Sequence, residues 1–327
     1  MNDTILQWGF ISTARINKSL ITPLRMSKRS HLLGIASRSL DTARAYAKKN
    51  HIPKMDGSYE DLLADPNIDV VYISLPNSLH AEWTIKTLQA GKHVLCEKPL
   101  AVSLAEVDAV REAANQSGRV AAEAFMYRHH PQTIKVQQLI ENGSIGKPQF
   151  MRGWFTFSLN RLEDIRLNSE LGGGSIWDIG CYPISYARML MCAKPSQVFG
   201  WQISSSSGVD LTFAGQLLFS GDVCAQVFSS FRSPHCTGFQ IVGSEASLSI
   251  TDPFSPCGKS QIILRGDRNK ELIHFSQQEL YLGEVEDMAN AIIKGQPPRI
   301  SLQESRDNVE TTLALLESTK MGTRIEL

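Results

Sequence analysis

Two short stretches hold the residue types for moving a proton on and off an oxygen. Glu97-Lys98-Pro99 closes the apolar run His93-Val94-Leu95-Cys96, so a lysine is delivered at the end of a buried strand. A proline confines the residue before it to extended backbone, which limits where Lys98 projects, and Glu97 is placed to pair or hydrogen-bond beside it. The second stretch is Gly172-Gly173-Gly174-Ser175-Ile176-Trp177-Asp178-Ile179-Gly180-Cys181-Tyr182. On a helix, Asp178 and Tyr182 share one face, one turn apart. A carboxylate and a phenol so placed can orient a hydroxyl and exchange its proton. A free tyrosine, with a pKa of about 10, needs help to act as a base near neutrality. A nearby cation would supply it, since a positive charge favours phenolate and a developing alkoxide. Each group also has a structural reading. Glu97-Lys98 has the composition of a solvated surface pair, Ser175-x-x-Asp178 is a capping-box pattern, and Pro183 must sit in a first turn or kink its helix.

The elements that must position these groups are readable from periodicity. Short apolar runs at Ile5–Ile11, Leu32–Ala36, Val70–Leu75, His93–Cys96 and Val120–Glu123 alternate with helical segments, the pattern of a parallel sheet covered on both faces. Ser58-x-x-Asp61 and Ser103-x-x-Glu106 mark helix starts. After a helix near Pro131–Glu141 the texture changes. From about Phe150 to Phe275, runs such as Asp210–Phe219 and Val223–Phe231 are separated by turn residues, as in an antiparallel sheet. Helical segments at Tyr281–Lys294 and Leu302–Lys320 end the chain. The expected fold is an α/β Rossmann domain with a parallel sheet over residues 1–123. It is followed over 124–327 by an α+β domain with a large open, mostly antiparallel sheet, its C-terminal helix packing back on the first domain.

The turn Gly9-Phe10-Ile11-Ser12-Thr13-Ala14-Arg15-Ile16-Asn17 lies where dinucleotide folds set a pyrophosphate on free amides. Ser12, Ala14 and Asn17 hold the three glycine places. Ser12 and Ala14 are small enough for close approach, while Thr13 and Arg15 add donors; with the literal G-x-G-x-x-G absent, an ordinary strand-to-helix turn is the alternative. The second strand ends in Ala36-Ser37-Arg38-Ser39, with no carboxylate for a ribose 2′-hydroxyl. Ser37 and Arg38 suit a 2′-phosphate, which favours NADP over NAD, and a solvated Arg38 is the alternative. Leu75, Asn77 and His80 fall at the next carboxyl edge, where they serve a ligand or the turn and helix cap.

Composition narrows the classes. The 327 residues, 42% hydrophobic, suffice for two domains. Lys plus Arg and Asp plus Glu both number 33, which gives no overall pull toward nucleic acid or an anionic membrane. Met1-Asn2-Asp3-Thr4 lacks a leader pattern, and no apolar run approaches the ~20 residues of a membrane helix. Six scattered cysteines without a C-x-x-C pair argue against a disulfide framework and a zinc site. A cytoplasmic protein is expected.

Together these residues resemble the Gfo/Idh/MocA family of nicotinamide-dependent oxidoreductases. The resemblance is carried, in order, by Trp8 to Ile16, Pro76-Asn77-Ser78-Leu79-His80, Glu97-Lys98-Pro99, Glu123-Ala124-Phe125-Met126-Tyr127-Arg128, Gly172 to Tyr182 and Tyr281-x-x-Glu284-Val285. It implies a Rossmann domain and a second domain whose open sheet helps form the substrate cleft and often an oligomer interface, here of a homodimer or homotetramer. It assigns Lys98 to the cofactor and the reacting oxygen, and Asp178 and Arg128 to substrate. Ile16, Glu97, Met126 and Tyr281 join the cofactor set, as does Arg166, preceded by Ile165 where the family commonly has tryptophan. Tyr182 stands where many members have histidine, as in the branch with glucose-fructose oxidoreductase, dimeric dihydrodiol dehydrogenase and NADP-dependent D-xylose dehydrogenase. The implied activity is hydride transfer between NADP(H) and a sugar or cyclic polyol or diol, with Lys98 and Tyr182 catalytic. The alternatives are a ketoreductase of a nucleotide-linked deoxysugar and, in another class, a non-catalytic NADP-binding regulator.

Overall fold

The computed structural model describes residues 4–161 and 163–327; Met1-Asn2-Asp3, read above as lacking a leader, lies outside the described residues. Two compact units form. One comprises the residues up to Met126 together with Tyr281–Arg306, the other Tyr127–Leu280 together with Asp307–Leu327.

The first unit alternates strand and helix: β1 (Leu6–Ile11), α1 (Asn17–Met26), β2 (Ser30–Ala36), α2 (Leu40–Asn50), β3 (Lys54–Asp56), α3 (Tyr59–Ala64), β4 (Val70–Ile73), α4 (His80–Gln89), β5 (His93–Glu97), α5 (Leu104–Ser117) and β6 (Ala121–Ala124). The strands pair in parallel in the order β3-β2-β1-β4-β5-β6, the arrangement of a Rossmann sheet. Their near-continuous apolar sequences follow from burial on both faces; all four residues of β4 are buried. Both capping sites read from sequence form. Ser58 accepts the Asp61 amide at 3.1 Å and Ser103 the Glu106 amide at 3.3 Å, while Glu106 reaches back to the Val102 amide at 3.2 Å.

The second unit contains α6 (Pro131–Glu141), β7 (Pro148–Ser158), α7 (Cys181–Met191), β8 (Gln197–Ser204), β9 (Asp210–Phe219), β10 (Val223–Ser230), β11 (Arg232–Gly243), β12 (Ala246–Thr251), β13 (Gln261–Gly266) and β14 (Lys270–His274). After α8 (Leu282–Lys294) and α9 (Leu302–Met321), β15 (Ile325–Glu326) adds the last strand. The nine strands run β14-β13-β12-β11-β7-β10-β9-β8-β15, and every neighbouring pair is antiparallel except β7 with β10. Period-two alternation buries Phe213 and Leu217 of β9 and Ala225 and Val227 of β10. Phe199, Trp201 and Ile203 of β8 and Phe228 of β10 stay exposed on the sheet. α7 packs on β7 and β10, and Arg188 of α7 donates to Asp307 at 2.9 Å. In the first unit, Val285 and Met288 of α8 join Trp8, Phe10, Tyr72 and Leu95 in one buried cluster. Each such side chain contributes roughly 1.5–3 kcal/mol. Among the described residues no helix is long and apolar enough to cross a membrane.

Candidate active site

In the first unit, the turn from β1 to α1 is built by side chains where a glycine fingerprint would use bare backbone. Ser12 is buried with φ +88°, the left-handed region that a glycine enters more easily. Its hydroxyl donates to the Ser74 carbonyl at 3.0 Å and accepts the Ala14 amide at 3.1 Å. Asn17 closes the network: its amide nitrogen donates to the Ser12 carbonyl at 2.8 Å, and its oxygen accepts the Ser74 hydroxyl at 2.6 Å. Thr13, Ala14 and Ile16 are half-buried and Arg15 is exposed. At the end of β2, Ser37 is buried with its amide on the Asp56 carbonyl at 3.2 Å, and Arg38 is exposed.

At the carboxyl edge of β4 and β5, His80 is buried between two carbonyls, Nδ1 at 2.7 Å from Pro99 and Nε2 at 2.8 Å from Leu75. Burial lowers its pKa, against the two carbonyls, which favour the protonated ring, and the Lys98 charge adds a smaller lowering. Glu97 accepts the Tyr72 hydroxyl at 2.5 Å on one oxygen and the Lys98 amide at 3.3 Å on the other. Lys98 itself is half-buried, and its peptide bond to Pro99 is cis. Asn77 begins the turn before α4, Met126 is buried, and Tyr281 packs at the edge of the Trp8 cluster just before α8. Within this unit the structure thus gathers the turn residues, the Leu75 to His80 loop and Lys98 at one edge of the parallel sheet.

In the second unit, Ile176–Gly180 form a π turn that runs directly into α7, with Pro183 in the first turn of that helix. Such widened turns accompany functional sites, and one stands here directly before a proline that can donate no helical hydrogen bond. Asp178 lies in the π turn and receives Arg166 Nε at 2.6 Å; Arg166 is also bound by Asp164, at 3.3 Å from Nη1. The Asp178 charge, above all, raises the Arg166 pKa. Tyr182 is 6% exposed, and its ring is set in an aromatic wall, 5.5 Å from Phe155, 5.5 Å from Phe254 and 5.8 Å from Tyr127. Arg128 is buried and donates to the Ser185 hydroxyl of α7 at 3.4 Å.

The capping-box reading of Ser175 and Asp178 is corrected. The Ser175 hydroxyl donates to Asp210 at 2.5 Å and makes no cap bond to its own helix. Sequence reasoning passed over Asp210, Phe155 and Phe254, whose roles depend on strands distant in the chain. It placed Arg166 by resemblance and did not foresee its pairing with Asp178.

The geometry fits what comparison shows. Residues 6–125 match the GFO/IDH/MocA oxidoreductase family with an NAD-binding Rossmann fold, and residues 133–249 match the GFO/IDH/MocA C-terminal domain. The chain is 34% identical over 326 residues to D-xylose 1-dehydrogenase (NADP(+)) 2 of Haloferax volcanii, covering 98% of this chain and 100% of that one. It is 30% identical over 311 residues to trans-1,2-dihydrobenzene-1,2-diol dehydrogenase of Xenopus laevis, covering 91% and 93%. A 3-ketoreductase from Actinomadura kijaniata, solved with NADP and TDP-benzene, superposes with a TM-score of 0.90 at 26% identity, covering 96% of this chain and 98% of that one.

Proposed function

This chain belongs to the Gfo/Idh/MocA oxidoreductase family, and from that premise we propose that it is an NADP-dependent dehydrogenase of a sugar or cyclic diol. The observation that carries the reading is Tyr182, set in an aromatic wall at the start of α7, one turn from an Asp178 already oriented by Arg166. The first unit fits a dinucleotide: small Ser12 and Ala14 occupy the β1-to-α1 turn, and Ser37 and Arg38 stand at the end of β2 where a carboxylate would repel a 2′-phosphate. When bound, the nicotinamide supplies the hydride acceptor or donor.

The protein's own residues supply the rest. Tyr182 is assigned the proton of the reacting hydroxyl, and Lys98 the positive charge that lets a phenol serve near neutrality. Asp178 is assigned a neighbouring hydroxyl, held by the Arg166 contact in an orientation that costs nothing to establish during reaction. Phe155, half-buried and stacked on the enclosed Phe254, gives the apolar face of a ring somewhere to lie. Tyr182→Phe is expected to lower kcat at least a hundredfold while the NADPH Kd stays within twofold; near-normal turnover would remove Tyr182 from the mechanism. A spectrophotometric screen of aldoses, cyclic diols, inositols and keto-sugars with NADP and NAD selects the substrate.

The likeness to a 3-ketoreductase supports a second reading, reduction of a nucleotide-linked keto-deoxysugar. It predicts strong preference for a sugar nucleotide over free aldoses in the same screen. We further propose a homodimer or homotetramer formed through the exposed Phe199, Trp201, Ile203 and Phe228, an apolar group larger than isolated surface residues require. Light scattering at the 36.3 kDa mass of one chain would reject it. A cytoplasmic location is supported by six cysteines that all remain free thiols.

A further inference from the structure

We propose that Asp210 is a positioning residue that sets the direction in which Asp178 and Tyr182 point. The proposal rests on the assignment of those two residues to substrate and proton transfer. Asp210 begins β9 and is 3% exposed. One carboxylate oxygen accepts the Ser175 hydroxyl at 2.5 Å and the Ile176 amide at 2.9 Å. The Ser175 hydroxyl lies 2.9 Å from that of Ser229 on β10, and both serines are fully enclosed. The other Asp210 oxygen is seated against Gly174, whose φ is +120°; a Cβ there would stand 2.3 Å from it. Two adjacent strands therefore grip the Gly174-Ser175-Ile176 backbone where the π turn begins.

A merely capping role would not call for this arrangement. Ser175 stands at the start of the turn, where a serine can cap locally, yet its hydroxyl is spent on Asp210. Burial raises the Asp210 pKa, so an enclosed carboxyl is a costlier acceptor than an exposed one. What the contact provides is direction. Asp178 lies inside the π turn and Tyr182 just beyond it, so relaxation of that turn toward an α-helix changes the rotation relating one to the other. Holding the Ile176 amide to the sheet fixes the turn at its origin. Asp178, two residues on, then meets Arg166, and Tyr182 meets Phe155 and Phe254.

The test is the full-length Asp210→Asn variant, examined by crystallography and by turnover of D-xylose with NADP. The expected result is loss of the Arg166 to Asp178 hydrogen bond, a kcat at least tenfold lower, and an NADPH Kd within twofold of the parent. A role confined to stability would lower Tm and leave kcat and the Arg166 contact as they were, which would overturn the proposal. If Asp210→Asn does not fold, Ser175→Ala, which keeps the Ile176 amide on Asp210, carries the same test with an expected two- to fivefold fall in kcat. An unchanged Ser175→Ala kcat and Arg166 contact would then overturn it. Tyr182→Phe measured in parallel separates the two claims. If that variant loses turnover while Asp210→Asn keeps it, only the role of Asp210 falls; if it keeps turnover, the assignment of Tyr182 falls and the proposal with it.

Discussion

Arg38 stands exposed between Ser37, whose amide is tied to Asp56, and Ser39, whose hydroxyl caps α2 through the Thr42 amide at 3.4 Å. The backbone on either side is held, so only the rotamers of the Arg38 side chain remain to be ordered when it meets a ligand. A charge-assisted hydrogen bond to a phosphate is worth about 1.5–3 kcal/mol, tenfold or more in affinity. Arg38→Ala is therefore expected to raise the KM for NADP at least tenfold and to leave that for NAD within about twofold. Equal changes for both cofactors would take the 2′-phosphate away from Arg38. The position of this residue was legible because it follows from one strand end. The partners of Ser175 and Asp178 were not: capping and chemistry both fitted the sequence, and Asp210 and Arg166 stand 35 and 12 residues from the groups they bind. Their meeting depends on how β9 and the 3₁₀ turn at Ile165–Leu167 are laid against the π turn, which local spacing does not encode.

Helices and strands with strong periodicity could be read closely. The expected Pro131–Glu141 helix and Asp210–Phe219 strand have those bounds in the structure, while Val70–Leu75 ends at Ile73. β3 and β15, with three and two residues, are too short to show a period and take their form from pairing with β2 and β8. The turn before α7 was readable only in part, because three glycines announce close approach without saying to what. At Gly173 the neighbours are main-chain oxygens: a Cβ would lie 2.5 Å from the Arg166 carbonyl and 2.7 Å from that of Asn168. Those carbonyls accept the Gly174 and Gly173 amides, both at 2.9 Å, so neither can withdraw without breaking a hydrogen bond. Gly173→Ala should thus cost about 1–3 kcal/mol, seen as a lower urea midpoint. It should also shift Arg166 away from Asp178. An unchanged midpoint would show that the turn yields more readily than these contacts imply.

At the scale of the whole chain, the first unit is completed only when residues 281–306 rejoin it, after β7–β14 of the second sheet and before its last strand, β15. The amphipathic pattern of α8 is plain in sequence, but it carries no address for the Trp8 and Tyr72 face that Val285 and Met288 cover. Stability of that unit has a pH dependence written at β5. His93 is partly buried, and its Nδ1 accepts the Val120 amide at 3.0 Å, so folding needs the neutral ring. Burial, followed by the Arg119 charge, lowers its pKa to about 4. An unfolded histidine titrates near 6.5, so between that value and about 4 the unfolded chain binds a proton that the folded one refuses. The contribution is present above pH 6.5 and is lost as pH falls toward 4. Allowing for the ring's partial exposure, the loss between pH 8 and pH 5 is about 1–2 kcal/mol. His80 and His130 are lowered in the same sense, chiefly by burial, and add to the parent's slope. His93→Gln keeps an acceptor for Val120 without a titrating group. In urea unfolding at the two pH values, the variant should lose less stability than the parent by that amount, and an equally steep decline would show that His93 does not set the slope.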